Sequence, residues 1–172
     1  MPVGLEIGIK ALPGNQKALA EFRAMEARAT DMIPCYRAIY SAFRTINRRN
    51  FRMQGGASGH PWAQLSDHTA YERGRLGYPE YHPILQETGQ LRDSLCVAGA
   101  KGAIFEPTVA GVHMGTDDPI ADYHQDGDPE RGLPAREIID PTQADAQVYA
   151  EIVAEYFDGL GIKNPMVTEG AI

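Results

Sequence analysis

Two helical stripes of apolar residues, separated by Pro34, form the longest regular pattern in the sequence. The first stripe follows Asn15 with spacings of three and four residues: Leu19, Phe22, Met25, Ala29 and Met32. The second stripe extends to about Arg52: Tyr36, Ile39, Tyr40, Phe43, Ile46 and Asn50. Such spacing is typical of amphipathic α-helices. Because proline is tolerated in the first turn of a helix, the pattern predicts two helices, or one kinked helix, with Pro34 beginning the second.

Shorter apolar runs predict a small antiparallel sheet of about four strands. These runs cover residues 3–9, 91–98, 103–106 and 109–114. Pro107 lies between the last two and is expected at a strand end. A last helix is predicted from Pro141, with Asp140 as its N-cap, and the element order then predicts an α+β fold in which two or three helices cover the sheet.

The stretch from residue 54 to residue 83 is rich in glycine and proline and has no sustained period, which predicts a long extended loop. We expect residues 1–161 to form a single α+β domain that carries this loop. Residues 162–172 are expected to form a loose C-terminal tail.

The charge of the 172-residue chain is unevenly distributed. The formal net charge is -7, but residues 1–75 carry +5 and residues 76–172 carry -12. No apolar run is long enough to span a membrane, and an acidic chain is a poor candidate for sequence-specific DNA binding. Cys35 and Cys96 have no partner spacing, which predicts free thiols.

The sequence contains no recognisable catalytic constellation. The five histidines lack metal-ligand spacing: His60, His68, His82, His113 and His124. The serines lack the G-x-S-x-G context of a hydrolase nucleophile. We therefore predict no catalytic, cofactor-binding or metal site, and the chain is predicted not to be an enzyme. A metal-dependent hydrolase built on the histidines is kept as an alternative.

Arg44, Arg48 and Arg52 recur every four residues on the second predicted helix and form a basic ridge. The ridge is either a solvated helix face or a contact with an acidic surface, such as the acidic half of another copy. A nucleic-acid-binding module that uses this helix is the second alternative function.

Six short motifs occur in a fixed order between residues 60 and 157. They are Trp62, Leu65, Ser66 and Thr69; Pro83-Ile84-Leu85; Thr88-Gly89, Leu91-Arg92 and Ser94; Gly115-Thr116; Tyr123, His124, Gln125 and Gly127; and Leu133-Pro134-Ala135-Arg136. In this order they resemble the W-x-x-L-S-x-x-T, P-x-L, T-G-x-L-R-x-S, G-T, Y-A-x-x-H-Q-x-G and I-P-A-R elements of the Mu-like phage virion-morphogenesis and tail-completion family.

The resemblance implies a structural virion protein of the phage head-tail junction, as a neck component, a tail-completion protein or a tail terminator. It implies a homo-oligomeric ring, expected to be hexameric, around the DNA channel. The implied partners are the adjacent connector or adaptor and the tail-tube or terminator proteins. DNA is expected to pass through the lumen without sequence-specific binding, and no membrane is involved.

Eight residues are predicted to make loop or subunit contacts: Trp62, Tyr123, His124, Gln125, Arg136, Arg44, Arg48 and Arg52. Trp62 is expected to anchor the 54–83 segment on its own or a neighbouring subunit, because a lone large aromatic side chain suits that purpose. Arg136 is expected to fix the loop before the last helix through hydrogen bonds or an ion pair.

Overall fold

The computed structural model describes residues 15–79 and 82–167. The described residues form six α-helices, one 3₁₀ helix and two β-strands. In chain order these are α1 (Gln16–Thr30), α2 (Ile33–Met53), α3 (Asp67–Arg75), α4 (Gln90–Cys96), β1 (Ala103–Pro107), β2 (Val112–Thr116), α5 (Ala121–Gln125), the 3₁₀ helix (Pro129–Arg131) and α6 (Gln143–Asp158). The predicted α+β class is confirmed.

Helix α2 is the central element of the fold. Pro34 lies in its first turn, as the sequence predicts, and α1 precedes it as a separate helix. Ten residues of α2 are buried: Cys35, Ala38, Tyr40, Ser41, Ala42, Phe43, Ile46, Asn47, Asn50 and Phe51. Since a helix rises about 1.5 Å per residue, α2 is about 30 Å long and reaches both hydrophobic clusters of the chain.

The two clusters lie at different positions along α2. One surrounds Phe51 and Trp62 and includes Leu91 and Leu95 of α4. The other lies between α2 and α6 and contains Cys35 of α2 and Ile152 of α6. Both cysteines are free and buried, and burial raises the pKa of Cys96 to about 11. The thiols are therefore protonated at neutral pH.

The sheet is smaller than predicted. β1 and β2 pair antiparallel from Ala103 with Thr116 to Pro107 with Val112, and the described residues contain no further paired strand in this sheet. The run 91–98, predicted as a strand, is instead helical, because Leu91 and Leu95 are one helical turn apart and both face the core. The strand predicted over residues 3–9 lies outside the described residues.

The 54–83 segment is not one long loop, because it contains helix α3. The Ser66 hydroxyl accepts a hydrogen bond from the Thr69 backbone N–H at 3.2 Å and caps this helix. Serine is a favoured N-cap, so Ser66 could have predicted the start of this helix. The high glycine and proline content of the segment instead favoured a loop.

Helix α6 begins two residues later than predicted. Its N-cap is Thr142 rather than Asp140, and Thr142 forms a reciprocal capping box with Asp145. Asp145 also accepts a hydrogen bond from the Arg49 guanidinium at 2.7 Å. Burial alone would raise the pKa of Asp145, but the hydrogen bonds from Thr142 and the charge of Arg49 outweigh it and hold this pKa below its usual value.

The described part of the predicted tail, residues 162–167, is held by specific contacts. Asn164 is buried and donates a side-chain hydrogen bond to Glu151 at 3.0 Å, while its backbone N–H donates to Glu155 at 3.0 Å. Ile162 and Met166 pack against the cluster between α2 and α6. This part of the chain therefore extends the second core rather than hanging loose.

None of the described helices combines the length and the hydropathy that a membrane-spanning segment needs.

We expect Asp145→Ala to lower the free energy of unfolding by about 2–4 kcal/mol, because it removes a helix cap and leaves Arg49 without its carboxylate. Gln147→Ala, an exposed change on the same helix, should stay within about 0.5 kcal/mol of the wild type. Urea denaturation measures both.

The same carboxylate gives a pH test. Because the folded pKa is depressed, its stabilisation is fully present above the unfolded pKa of about 3.9 and is lost as pH falls through the folded pKa. The acid-induced loss of stability should therefore be smaller in Asp145→Ala than in the wild type. Equal pH dependence in the two proteins would contradict this assignment.

Candidate functional site

Gln125, at the end of α5, holds the segment that leads into α6. Its side-chain oxygen accepts hydrogen bonds from the backbone N–H groups of Ile138 and Ile139, both at 3.0 Å. Its side-chain nitrogen donates to the carbonyl of Ile139 at 3.1 Å. One amide side chain thereby satisfies three backbone groups, which fixes the distance between α5 and residues 138–139.

Gly127 allows the chain to return close to itself. Its φ of +76° lies in the left-handed region, and a Cβ at this position would lie 2.7 Å from the backbone nitrogen of Ala135. Next to it, the backbones of Asp128 and Leu133 exchange two hydrogen bonds of 2.8 Å. The motif around residues 123–127 and the motif at 133–136 are thus two sides of one tight turn.

Arg136 connects this turn to the segment that precedes α3. Its side chain is only 4% exposed. The guanidinium donates to the carbonyl of Ala63 at 2.8 Å through Nε and to that of Gln64 at 3.0 Å through Nη2. The backbone N–H of Arg136 also donates to the carbonyl of His124 at 2.6 Å. The residue makes the kind of hydrogen bonds that the sequence analysis expects, and they join residues 63–64 to the 123–136 turn.

Trp62 lies in the core of its own chain and is 4% exposed. Its indole N–H donates to the carbonyl of Glu137 at 3.0 Å, and its ring packs edge-on against Phe51 at 5.2 Å between centroids. A Cβ on Gly55 would lie 2.5 Å from the indole, so only glycine fits where the chain passes this ring. The tryptophan anchors the chain between α2 and α3 beside the loop that Arg136 holds.

These contacts build a groove of about 710 Å³ between α3, α4 and the 118–136 region, which we call the motif groove. Ten of its nineteen lining residues belong to the ordered motifs: Leu65, Ser66, Thr69, Leu85, Thr88, Leu91, His124, Leu133, Pro134 and Arg136. A cleft of this size with apolar walls and a few polar groups is typical of a binding site. Residues that are far apart in the sequence therefore meet on one surface.

Positive charge dominates the buried side of the motif groove. Arg136 forms no ion pair with a carboxylate of the described residues, and Arg73 has only Glu87, at 3.7 Å. Burial lowers the pKa of Arg136, and the charge of Arg73 lowers it further. Asp118, on the same surface, accepts a hydrogen bond from Gln90 at 2.9 Å. Two carboxylates, those of Glu87 and Asp118, therefore line the groove beside the two guanidinium groups, and neither forms an ion pair with Arg136.

His124 contributes no charge of its own at neutral pH. Burial lowers its imidazole pKa, the positive charge of Arg136 lowers it further, and Asp118 opposes the shift. Tyr123, its neighbour, is exposed and lies under the guanidinium of Arg131 at 4.9 Å. Of the three predicted contact residues from this motif, His124 lines the groove, whereas Tyr123 and Gln125 lie outside its lining.

The arginine ridge does not line the motif groove. Arg44 stacks over the ring of Tyr40 at 5.1 Å, and Arg48 donates to the carbonyl of Cys96 at 2.9 Å. Arg52 is exposed. Spacing of four residues correctly places the three side chains on one helix face, but two of them make contacts within their own chain.

A second group of polar residues, which no motif in the sequence indicates, lies near Trp62. The Nδ1 atom of His60 lies 3.0 Å from Asp140 Oδ2 and 3.8 Å from Glu137 Oε2. A hydrogen bond from Ser58 lowers the pKa of Asp140, and His60 lowers it further. One imidazole and two carboxylates are ligands that suit a divalent cation. His60 and Glu137 are exposed, however, and the attraction between the imidazole and the two carboxylates is enough to explain why the three groups lie together. Their large separation in sequence left no spacing to recognise.

A sequence model of the phage virion morphogenesis family matches residues 15–158 of the chain. This match begins just before α1 and ends with α6, so it includes every described helix and strand. No curated protein matches the chain, and no solved structure does.

Two glycines provide a matched test of the tight turn. We expect Gly127→Ala to lower the free energy of unfolding by about 2–4 kcal/mol, because the new Cβ strains a left-handed residue and also collides with backbone. Gly132→Ala, at φ +65° with open space around it, should cost only about 1–2 kcal/mol. Equal losses in denaturant unfolding would show that residues 133–135 do not depend on this close approach.

Proposed function

The chain belongs to the phage virion morphogenesis family, and we propose that it is a structural protein of the phage head-tail junction. It acts there in tail completion, as a tail terminator or as a neck component, and assembles into a ring around the DNA channel. The observation that carries the proposal is the motif groove, on which the family-like motifs converge although they are spread over more than seventy residues. A groove with apolar walls and charged side chains suits a protein segment as its ligand.

The division of charge supports head-to-tail assembly. Residues 1–75 carry +5 and residues 76–172 carry -12. In a ring, one patch of each subunit meets a different patch of the next, and opposite charge on the two patches favours the correct contact. The excess of acidic residues also suits a lumen through which DNA passes without binding, since phosphate contacts depend on cations.

The proposal is structural rather than catalytic. His60, Glu137 and Asp140 do not line the motif groove, so the cleft and these possible metal ligands do not form one site. The nucleic-acid alternative relied on the arginine ridge, of which Arg44 and Arg48 are engaged with Tyr40 and Cys96. Steeply salt-dependent binding to double-stranded DNA would favour that alternative.

Deletion of the gene tests the function directly. We expect filled heads and separate tails that fail to join, or tails with faulty termination, by electron microscopy of lysates. A copy of the gene supplied in trans should restore infectious particles. Normal infectious particles from the deletion would overturn the proposed function.

Charge reversal at Arg52 tests the basic surface in assembly without disturbing the contacts of Arg44 and Arg48. We expect Arg52→Glu to weaken self-association more at about 50 mM salt than at about 500 mM, because screening removes the electrostatic difference. Neighbouring copies should bury about 800 Å² per partner, the size of a standard interface. Sedimentation velocity at several concentrations measures the association.

Arg37→Glu, another exposed position on α2 with the same change in net charge, is the control. If both variants lose association equally, net charge rather than the Arg52 surface is responsible. If neither variant differs from the wild type at low salt, this surface takes no part in assembly.

A further inference from the structure

The turn between β1 and β2 presents an apolar side chain that no described part of its own chain covers. Val109 is 107% exposed, more than any other large hydrophobic side chain of the described residues. The turn is nevertheless well ordered by hydrogen bonds: the Thr108 hydroxyl accepts from the N–H groups of Ala110 and Gly111 at 3.2 and 3.1 Å. The backbone N–H of Thr108 donates to the carbonyl of Gly111 at 2.7 Å. A turn held in this way loses little conformational entropy when it binds.

A carboxylate lies next to this turn. Glu106, the fourth residue of β1, has a side chain that is 69% exposed and is paired only with the equally exposed His113, at 3.4 Å. Val109 and Glu106 therefore offer one apolar and one anionic group on the same hairpin. We call residues 106–111 the hairpin tip.

The hairpin tip and the motif groove lie at opposite ends of α2. The tip borders a shallow cleft with Ile33 and Tyr36, in the first turn of α2. The groove lies beyond the other end, where Trp62 packs on Phe51 and the following residues bond to Arg136. From Ile33 to Phe51 the helix rises about 27 Å, so the tip of a subunit is remote from its own groove.

The motif groove has apolar walls and positive charge, which complement the apolar and anionic groups of the hairpin tip. Its walls include the leucine side chains of Leu65, Leu85 and Leu133. On its buried side, Arg136 has carbonyl partners but no carboxylate of the described residues, and Arg73 has only the distant Glu87. Asp118, the buried carboxylate of the lining, accepts a hydrogen bond from Gln90 and forms no ion pair with either arginine among the described residues. Because charges removed from water are normally paired, a carboxylate from outside the chain would complete this site.

We propose that the hairpin tip of one copy inserts into the motif groove of the next copy, with Val109 between the leucine side chains and Glu106 directed towards Arg73 and Arg136. This inference rests on the proposed function, because it names the partner of the groove in the ring. A tip and a groove at opposite ends of one subunit form a heterologous contact, and such contacts close into a ring when the rotation between copies allows it.

The first test uses the full chain with single changes at two exposed residues. Val109→Asp should weaken self-association at least about tenfold in sedimentation velocity, because it places a charge against apolar walls. Leu160→Asp, at another exposed apolar position, should associate like the wild type. Near-ultraviolet circular dichroism and thermal unfolding show that both variants keep the fold.

Mixing two defective chains tests the direction of the contact. Val109→Asp has an intact groove, and Arg73→Glu has an intact tip, so each alone should remain monomeric. Their mixture should form dimers and stop there, because only one of the two possible contacts remains. A second swap, Glu106→Arg combined with Arg73→Glu in one chain, should recover part of the association that each single change loses.

Several results would overturn the inference. They are a wild-type chain that stays monomeric at about 100 µM, a Val109→Asp chain that assembles like the wild type, and a mixture that forms no dimer. Assembly that survives Val109→Asp, together with the expected deletion phenotype, would reject the tip-in-groove contact and leave the proposed function standing. Normal particles from the deletion would instead reject the function itself.

Discussion

The buried guanidinium of Arg136 is the interaction on which the surrounding structure depends. It bonds to the carbonyls of Ala63 and Gln64, while its backbone N–H bonds to His124. The segment before α3 and the turn before α6 are thereby held against each other, and the motif groove exists between them. A buried arginine without these acceptors would be unstable, so the two segments have to approach closely for the fold to form.

The length of α2, about 30 Å, sets the distance between the two surfaces that the proposed assembly uses. Because α2 reaches both hydrophobic clusters, it fixes the β1–β2 turn near its first residues and the Trp62 anchor near its last. The separation between these two surfaces is therefore a property of a rigid helix rather than of loops. In the proposed contact, the surfaces at the two ends of a subunit are satisfied through other copies.

The sequence predicts the parts of this structure that are set by local periodicity. Helices α1 and α2, the position of Pro34 and the end of β1 at Pro107 follow from local patterns, and the structure confirms them, although the apolar stripe of α1 contains no buried residue. The strand predicted over residues 91–98 was wrong, because a short apolar run fits a strand or a buried helix equally well. The groove was only partly predictable: the motifs name Arg136 and His124, but Arg73 carries no local signal, since its role depends on a distant residue.

The hydrogen-bond donors of Arg136 have partners, but its positive charge has no paired carboxylate among the described residues. This difference determines which kind of ligand the groove would bind. Carbonyl oxygens accept its N–H groups without neutralising it, and His124, whose pKa is lowered by burial, adds no further cation at neutral pH. The groove lining carries three guanidinium groups, those of Arg73, Arg131 and Arg136, and two carboxylates, those of Glu87 and Asp118, so its charge is close to balanced. Only a single carboxylate placed beside an apolar group gains from both the guanidinium groups and the leucine walls. In the proposed contact, Glu106 and Val109 supply these two groups from one ordered hairpin.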